Sequence, residues 1–173
     1  MGKIHNILSV DCDWVRSLKH QEELLSFLLP ILFSSNKIYL GYDHNKIYPL
    51  FPHNYDEYNL INIDHHHDYL YTEAQKAKID EGSWLYHLSI VFRKKINYLW
   101  ISNYDSQHAP SFYARIAREN LKSYAFDHNI SSIKAKTFDT IFICCSPNMD
   151  YNTQEGLITY KIIERIVNDK PKT

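Results

Sequence analysis

Five apolar runs of strand length punctuate the chain, at 5–11 (HNILSVD), 37–41 (KIYLG), 59–64 (NLINID), 97–102 (NYLWIS) and 138–144 (FDTIFIC). Helical patterns fall between them, near 19–33, 83–94, 110–121 and 154–168. Strands that alternate with helices predict an α/β fold: one three-layer sandwich domain over 1–173 with a mostly parallel sheet. The last pattern, QEGLITYKIIERIV, sets Leu157, Tyr160, Ile163 and Val167 on one stripe at helical spacing and predicts a core-facing helix. In open α/β sheets, ligands bind in the crevice at the carboxyl ends of the strands. Polar clusters occupy those positions here. Asp11 and Asp13 close the first run, Asp43 and His44 follow the second, DHHHD closes the third, and residues 146–150 follow the last.

Composition narrows the function. Lys plus Arg number 19 against 20 Asp plus Glu, a net charge of -1, so no global field draws nucleic acid or an anionic membrane. The longest apolar stretch, LLSFLLPILF, is too short to span a bilayer and carries Pro30, which is expected to interrupt it. The amino terminus meets an acidic pair before a signal peptide is complete, and the three cysteines do not form a disulfide framework; a cytoplasmic location is expected. Four glycines (Gly2, Gly41, Gly82, Gly156) cannot build a G-x-G-x-x-G turn or a P-loop, which excludes nucleotide binding of that kind.

The chemistry concentrates in DHHHD, residues 64–68. While the chain stays extended, Asp64, His66 and Asp68 point to one side, and His65 and His67 to the other. Asp11 and Asp13 repeat the i, i+2 spacing, and His44 adds an imidazole from a neighbouring strand end. Four carboxylates and two imidazoles are a ligand set for two divalent ions with bridging carboxylates. Oxygen donors with a minority of imidazole suit Mn²⁺ better than structural zinc. A lone D-x-D is more often a turn, and His44 alone is equally a turn residue. The full set is costly to bury without cations, because clustered carboxylates cannot all ionise. His5, His20, His53, His108 and His128 lack comparable spacing.

The pattern resembles the ureohydrolase superfamily, the arginase-like enzymes. GYDH (41–44), DHHHD (64–68) and VDCDW (10–14) are similar to that family's D-H turn, D-x-H-x-D strand end and D-x-D strand end. The resemblance implies that Asp11, Asp13, His44, Asp64, His66 and Asp68 hold two Mn²⁺ per chain. EGSWLYHL (81–88) and IFICCSPNMD (141–150) resemble segments of a small arginase-like family that includes peptide arginases. D-x-D comes first in this chain and last in classical arginases, as if the sequence were circularly permuted. Strand order in space, not in sequence, builds a site, so permutation leaves the cluster feasible.

The same resemblance implies hydrolysis of an arginine guanidinium by water activated between the ions, yielding urea and ornithine. Asp68 would ligate an ion and orient the nucleophile, His87 or His65 would protonate the leaving amine, and Asp150 or Glu81 would pair with the guanidinium. Asp43 would orient a ligand imidazole. Short length favours arginine within a precursor peptide as substrate over free arginine. The expected partner is therefore an arginine-containing peptide, with no nucleic acid or membrane; a homo-oligomer is compatible. Two alternatives stay open. INIDHH also resembles DHH-type phosphodiesterases, and a non-catalytic metal- or peptide-binding domain rich in tyrosine fits the composition.

Overall fold

The computed structural model describes residues 2–35, 37–69, 76–104, 106, 119–134, 137–146 and 153–170. Six strands, β1 (Ile4–Asp11), β2 (Ile38–Gly41), β3 (Glu57–Ile63), β4 (Ile96–Ile101), β5 (Ser123–Asp127) and β6 (Thr140–Cys144), form one sheet in the order β2-β6-β1-β3-β4-β5. Every pairing is parallel. Helices α1 (Leu18–Ser34), α2 (Trp84–Val91) and α3 (Gln154–Asn168) complete the regular structure among the described residues. The α/β class and all five expected strands are present, and the sheet is parallel throughout. The pattern at 110–121 lies largely outside the described residues.

Burial divides the molecule into layers. One apolar cluster joins Leu24, Leu28 and Leu32 of α1 and Tyr160 and Ile163 of α3 to Leu8, Val10, Ile63 and Ile143 of the sheet. The other joins Leu85 and Leu88 of α2 to Ile7, Leu60, Tyr98 and Phe142 on the opposite face. Side chains of the inner strands β6, β1, β3 and β4 alternate between the two clusters, so each of these feeds both cores and reads as a nearly continuous apolar run, while β2 at one edge packs Ile38 and Leu40 on a single side. β5 breaks this rule. Its sequence, SYAFD, is largely exposed, and an edge strand with one packed neighbour needs little apolar periodicity, which is why its sequence carries no strand signal.

Register is pinned by a row of amides. Asn6, Asn59, Asn97 and Ser123 stand abreast on β1, β3, β4 and β5. Asn59 donates to Asn6 at 2.9 Å, Asn97 to Asn59 at 3.0 Å, and the Ser123 hydroxyl to Asn97 at 2.8 Å. A slip by one residue would break every bond in the row and reverse the two faces. At the other end of the sheet this register sets Gly41, Cys144 and Asp11 level across β2, β6 and β1. Val10 lies opposite Ile63, which brings Asp64 beside Asp11.

The first helix matches its expected span, and the last departs from its expected buried face. α1 continues through Pro30 to Ser34, with the Ser17 hydroxyl accepting from the His20 N–H at its start and the Lys170 ammonium donating to the Leu32 and Ser35 carbonyls at its end. Packing of its apolar face outweighs the single backbone bond that proline forgoes. On α3 the buried residues are Gly156, Thr159, Tyr160 and Ile163, whereas Leu157 is 49% exposed. The helix is rotated because Gly156 abuts the turn after β1: a Cβ there would lie 2.5 Å from the Cys12 carbonyl oxygen. Gly156→Ala is therefore expected to destabilise the fold by about 1–3 kcal/mol despite the better helix propensity of alanine. Urea denaturation measures it, and a variant as stable as the parent would contradict the close approach. Among the described residues no helix is long and apolar enough to cross a membrane.

Candidate metal centre

The carboxyl ends of β1, β2, β3 and β6 meet around a buried knot of carboxylates and imidazoles. Asp11, Asp13, Asp64, Asp68 and His44 are each less than 5% exposed, and His66 is the most open member. Asp11 closes β1 and caps the short 3-10 turn Cys12–Trp14, accepting from the Asp13 N–H at 3.2 Å. The Ser146 N–H donates to the same oxygen at 3.3 Å, and the Ser146 hydroxyl donates to the other. Three donors thus fix the plane of this carboxylate.

His44 opens the 3-10 turn His44–Leu50 after β2. Its ring lies 5.0 Å from the Trp84 ring and stacks on Phe142 at 6.0 Å. Nε2 meets the Ser9 hydroxyl at 2.6 Å, and Nδ1 faces Asp68 at 2.8 Å, Asp64 at 3.0 Å and Asp11 at 3.7 Å. Asp64 also accepts from the Asn62 amide at 3.1 Å and the His66 N–H at 2.8 Å, while its carbonyl accepts from the Trp100 indole at 2.9 Å. On the far side, His66 Nδ1 lies 2.9 Å from Asp13 and 3.9 Å from Asp64.

DHHHD reaches this arrangement by bending. β3 ends at Ile63, and Asp68 takes φ 51°, a left-handed conformation uncommon outside glycine. The turn folds the Asp68 carboxylate back onto His44, where the Trp84 indole also donates to it at 2.7 Å. Asp64, His66 and Asp68 therefore converge, but through a bend in place of simple strand alternation. Two donor groups draw on this loop, His44·Asp64·Asp68 and Asp13·Asp64·His66, and in each the donor atoms lie within 4.8 Å of one another. Asp64 belongs to both.

Burial and crowding of like charges shift how the knot titrates. Burial, then Asp11 and Asp64, push the Asp13 carboxyl well above its usual range. Burial and Asp68 raise Asp64 to about 7 against the pull of His44. Burial would depress both imidazoles, yet Asp68 and Asp64 hold His44 well above its usual value, and Asp13 and Asp64 hold His66 at about 9. Two imidazolium charges balance only half of four carboxylates, so protons remain where cations would neutralise the site. Oxygen and imidazole donors in two groups that share a carboxylate are compatible with a metal site.

A pH dependence follows for the ion-free protein. Asp64, at about 7 against 3.8, keeps a proton in the folded chain that the unfolded chain has released, so stability falls as pH rises between those values. His66 adds stability that is full below 6.5 and is lost as pH climbs through about 9. Both act in the same direction. Melting temperature in chelator is expected to fall steadily from about pH 4 to about pH 9, and Mn²⁺ to flatten the slope. A flat or rising profile in chelator would contradict this charge arrangement.

The remaining sequence candidates lie at different distances from the knot. His65 is buried; its N–H donates to Asp13 at 3.2 Å and its ring stands edge-on to His66 at 4.8 Å. The Asn103 amide donates through Nδ2 to the Trp14 carbonyl at 2.8 Å, which turns its Oδ1 toward His65 Nδ1 at 2.9 Å. That orientation places the His65 proton on Nδ1 and a lone pair on Nε2. Glu81 sits in the turn before α2. Burial, then Asp11 and Asp43, raise its carboxyl to about 7, and its Oε1 is buried with no hydrogen-bond partner among the described residues. His87 is one turn along α2 from Trp84, edge-on to Tyr86 at 5.3 Å, and joins neither donor group. Asp43 caps the turn that carries His44. Asp150 and His108 lie outside the described residues.

Ser9, Asn62, Trp84, Trp100, Asn103 and Ser146 hold the candidate residues in place. Ser146 stands in the cluster after the last apolar run and Trp84 in the EGSWLYHL segment, but the sequence assigns neither this part; Ser9 shares the strand face of Asp11 at i, i+2. Fold and site together define an α/β protein with a buried carboxylate–imidazole centre at the carboxyl rim of a parallel sheet. In comparisons with protein-family models, curated proteins and solved structures, nothing matches the chain.

Proposed function

We propose that this chain is a dimanganese hydrolase of arginine guanidinium groups, acting on arginine within a peptide to leave ornithine and release urea. The observation that carries the reading is the pair of donor triads joined through Asp64. These triads hold five of the six residues that the arginase-like resemblance implies, and Asp11, the sixth, stands beside His44. When bound, the two ions supply the Lewis acidity that makes water a nucleophile near neutral pH.

The protein's own groups supply the rest. Glu81 offers a buried carboxylate oxygen in want of a cation, and a planar guanidinium meets that need with charge-assisted N–H bonds. His65, held through Nδ1 by Asn103, would take a proton from the attacking water at its Nε2 lone pair and pass that proton on to the leaving amine. Asp68, gripped by Trp84, and His44, gripped by Ser9, keep their orientation as the substrate enters. Trp14, Trp84 and Trp100, all buried, exclude bulk water from beneath the site.

Mass spectrometry of arginine-containing peptides incubated with the Mn²⁺-loaded protein tests the reading. The expected product is lighter by about 42 Da per converted residue, the difference between arginine and ornithine. Unchanged mass with every peptide and with free arginine would reject the activity.

A further inference from the structure

β6 brings a third kind of donor to the knot. Cys144 closes that strand, level with Asp11 on one side and Gly41 on the other, and is fully buried. Its sulfur, a ring nitrogen of His44 and a carboxylate oxygen of Asp11 lie within 4.8 Å of one another. Cys12 and Cys145 pack in the opposite core layer with α1 and α3, so Cys144 alone presents a thiol to the His44 side. The other side, Asp13, Asp64 and His66, offers only oxygen and nitrogen. Thiolate is a soft donor that favours zinc and cobalt, whereas carboxylate with imidazole accepts manganese.

We infer that Cys144 is a metal ligand, and that the centre is asymmetric: its His44 side takes a thiophilic divalent ion such as zinc or cobalt, and its His66 side a harder ion such as manganese. The inference rests on the two-ion reading above and revises one position of it: the His44 side holds manganese only where no softer ion competes. As the sulfur–metal bond forms, the thiol proton leaves to solvent, and the ion's second charge is met by the carboxylates already in place.

Cobalt titration of the metal-free full-length chain, read by near-ultraviolet absorption and elemental analysis, tests this. The first equivalent of Co²⁺ is expected to raise a thiolate-to-cobalt charge-transfer band. Cys144→Ser and Cys144→Ala should lose that band while still binding cobalt, and Cys145→Ser should keep it. Two cobalt ions bound to the unaltered protein without the band would overturn the thiolate ligand and leave the two-ion centre standing. No bound cobalt or manganese would overturn both. The unaltered protein alone decides these outcomes should a variant fail to fold, and a band that persists in a folded Cys144→Ser also rejects the assignment.

Discussion

Asp64→Asn is expected to release both ions and to lower guanidinium hydrolysis by more than about 100-fold, beyond the usual cost of losing a residue that merely orients a ligand. The reason is its place in the knot. Asp64 is the one carboxylate common to both donor triads, so neutralising it removes a negative charge from each ion position at once. Asparagine matches its size, and its one oxygen can still accept from the His66 N–H although its amide nitrogen cannot accept from Asn62, so the fold should survive the loss of a single bond. The ion-free variant should melt higher than the parent at pH 8. Ionising Asp64 in the folded chain is costly because burial and Asp68 hold its pKa near 7, and asparagine avoids that cost. Thermal melts with and without Mn²⁺ separate the two effects: the ion-free melting temperature rises and the gain from Mn²⁺ disappears. Undiminished turnover would place the chemistry elsewhere.

Glu81→Gln acts on the substrate and spares the metals. A charge-assisted hydrogen bond contributes about 1.5–3 kcal/mol, so kcat/KM for arginine peptides should fall about 10- to 150-fold. Glutamine keeps an oxygen but not the charge, and a neutral partner holds a guanidinium less firmly. Mn²⁺ content should be unchanged, because Glu81 belongs to neither donor triad. Steady-state kinetics with elemental analysis measures both. A drop in bound metal would make Glu81 a ligand, and unchanged kcat/KM would remove it from substrate recognition.

The sheet was legible because the four inner strands, buried on both faces, must be largely apolar, and the edge strand β2 is apolar too although none of its residues is buried. β5 is not, since an exposed edge needs no such run. The ligand candidates were legible for a related reason: acidic and histidine clusters directly after buried strands have few places to go except the carboxyl rim. Their partners were not. Trp84 reaches Asp68 only because Asp68 adopts a positive φ, and no residue type in DHHHD announces that bend. Ser146 reaches Asp11 across the β1–β6 pairing, a neighbour relation that sequence order conceals. The stripe on α3 failed at Leu157 because tertiary contact at Gly156, invisible to periodicity, set the rotation of the helix.

As a shared carboxylate, Asp64 would join two ions. Electron paramagnetic resonance of the Mn²⁺-loaded chain, with elemental analysis on the same sample, measures that. Two Mn²⁺ per chain with an exchange-coupled spectrum, converting to an uncoupled or ion-free state in Asp64→Asn, is the result expected of a shared carboxylate. A single ion per chain, or two ions with no coupling, would contradict it.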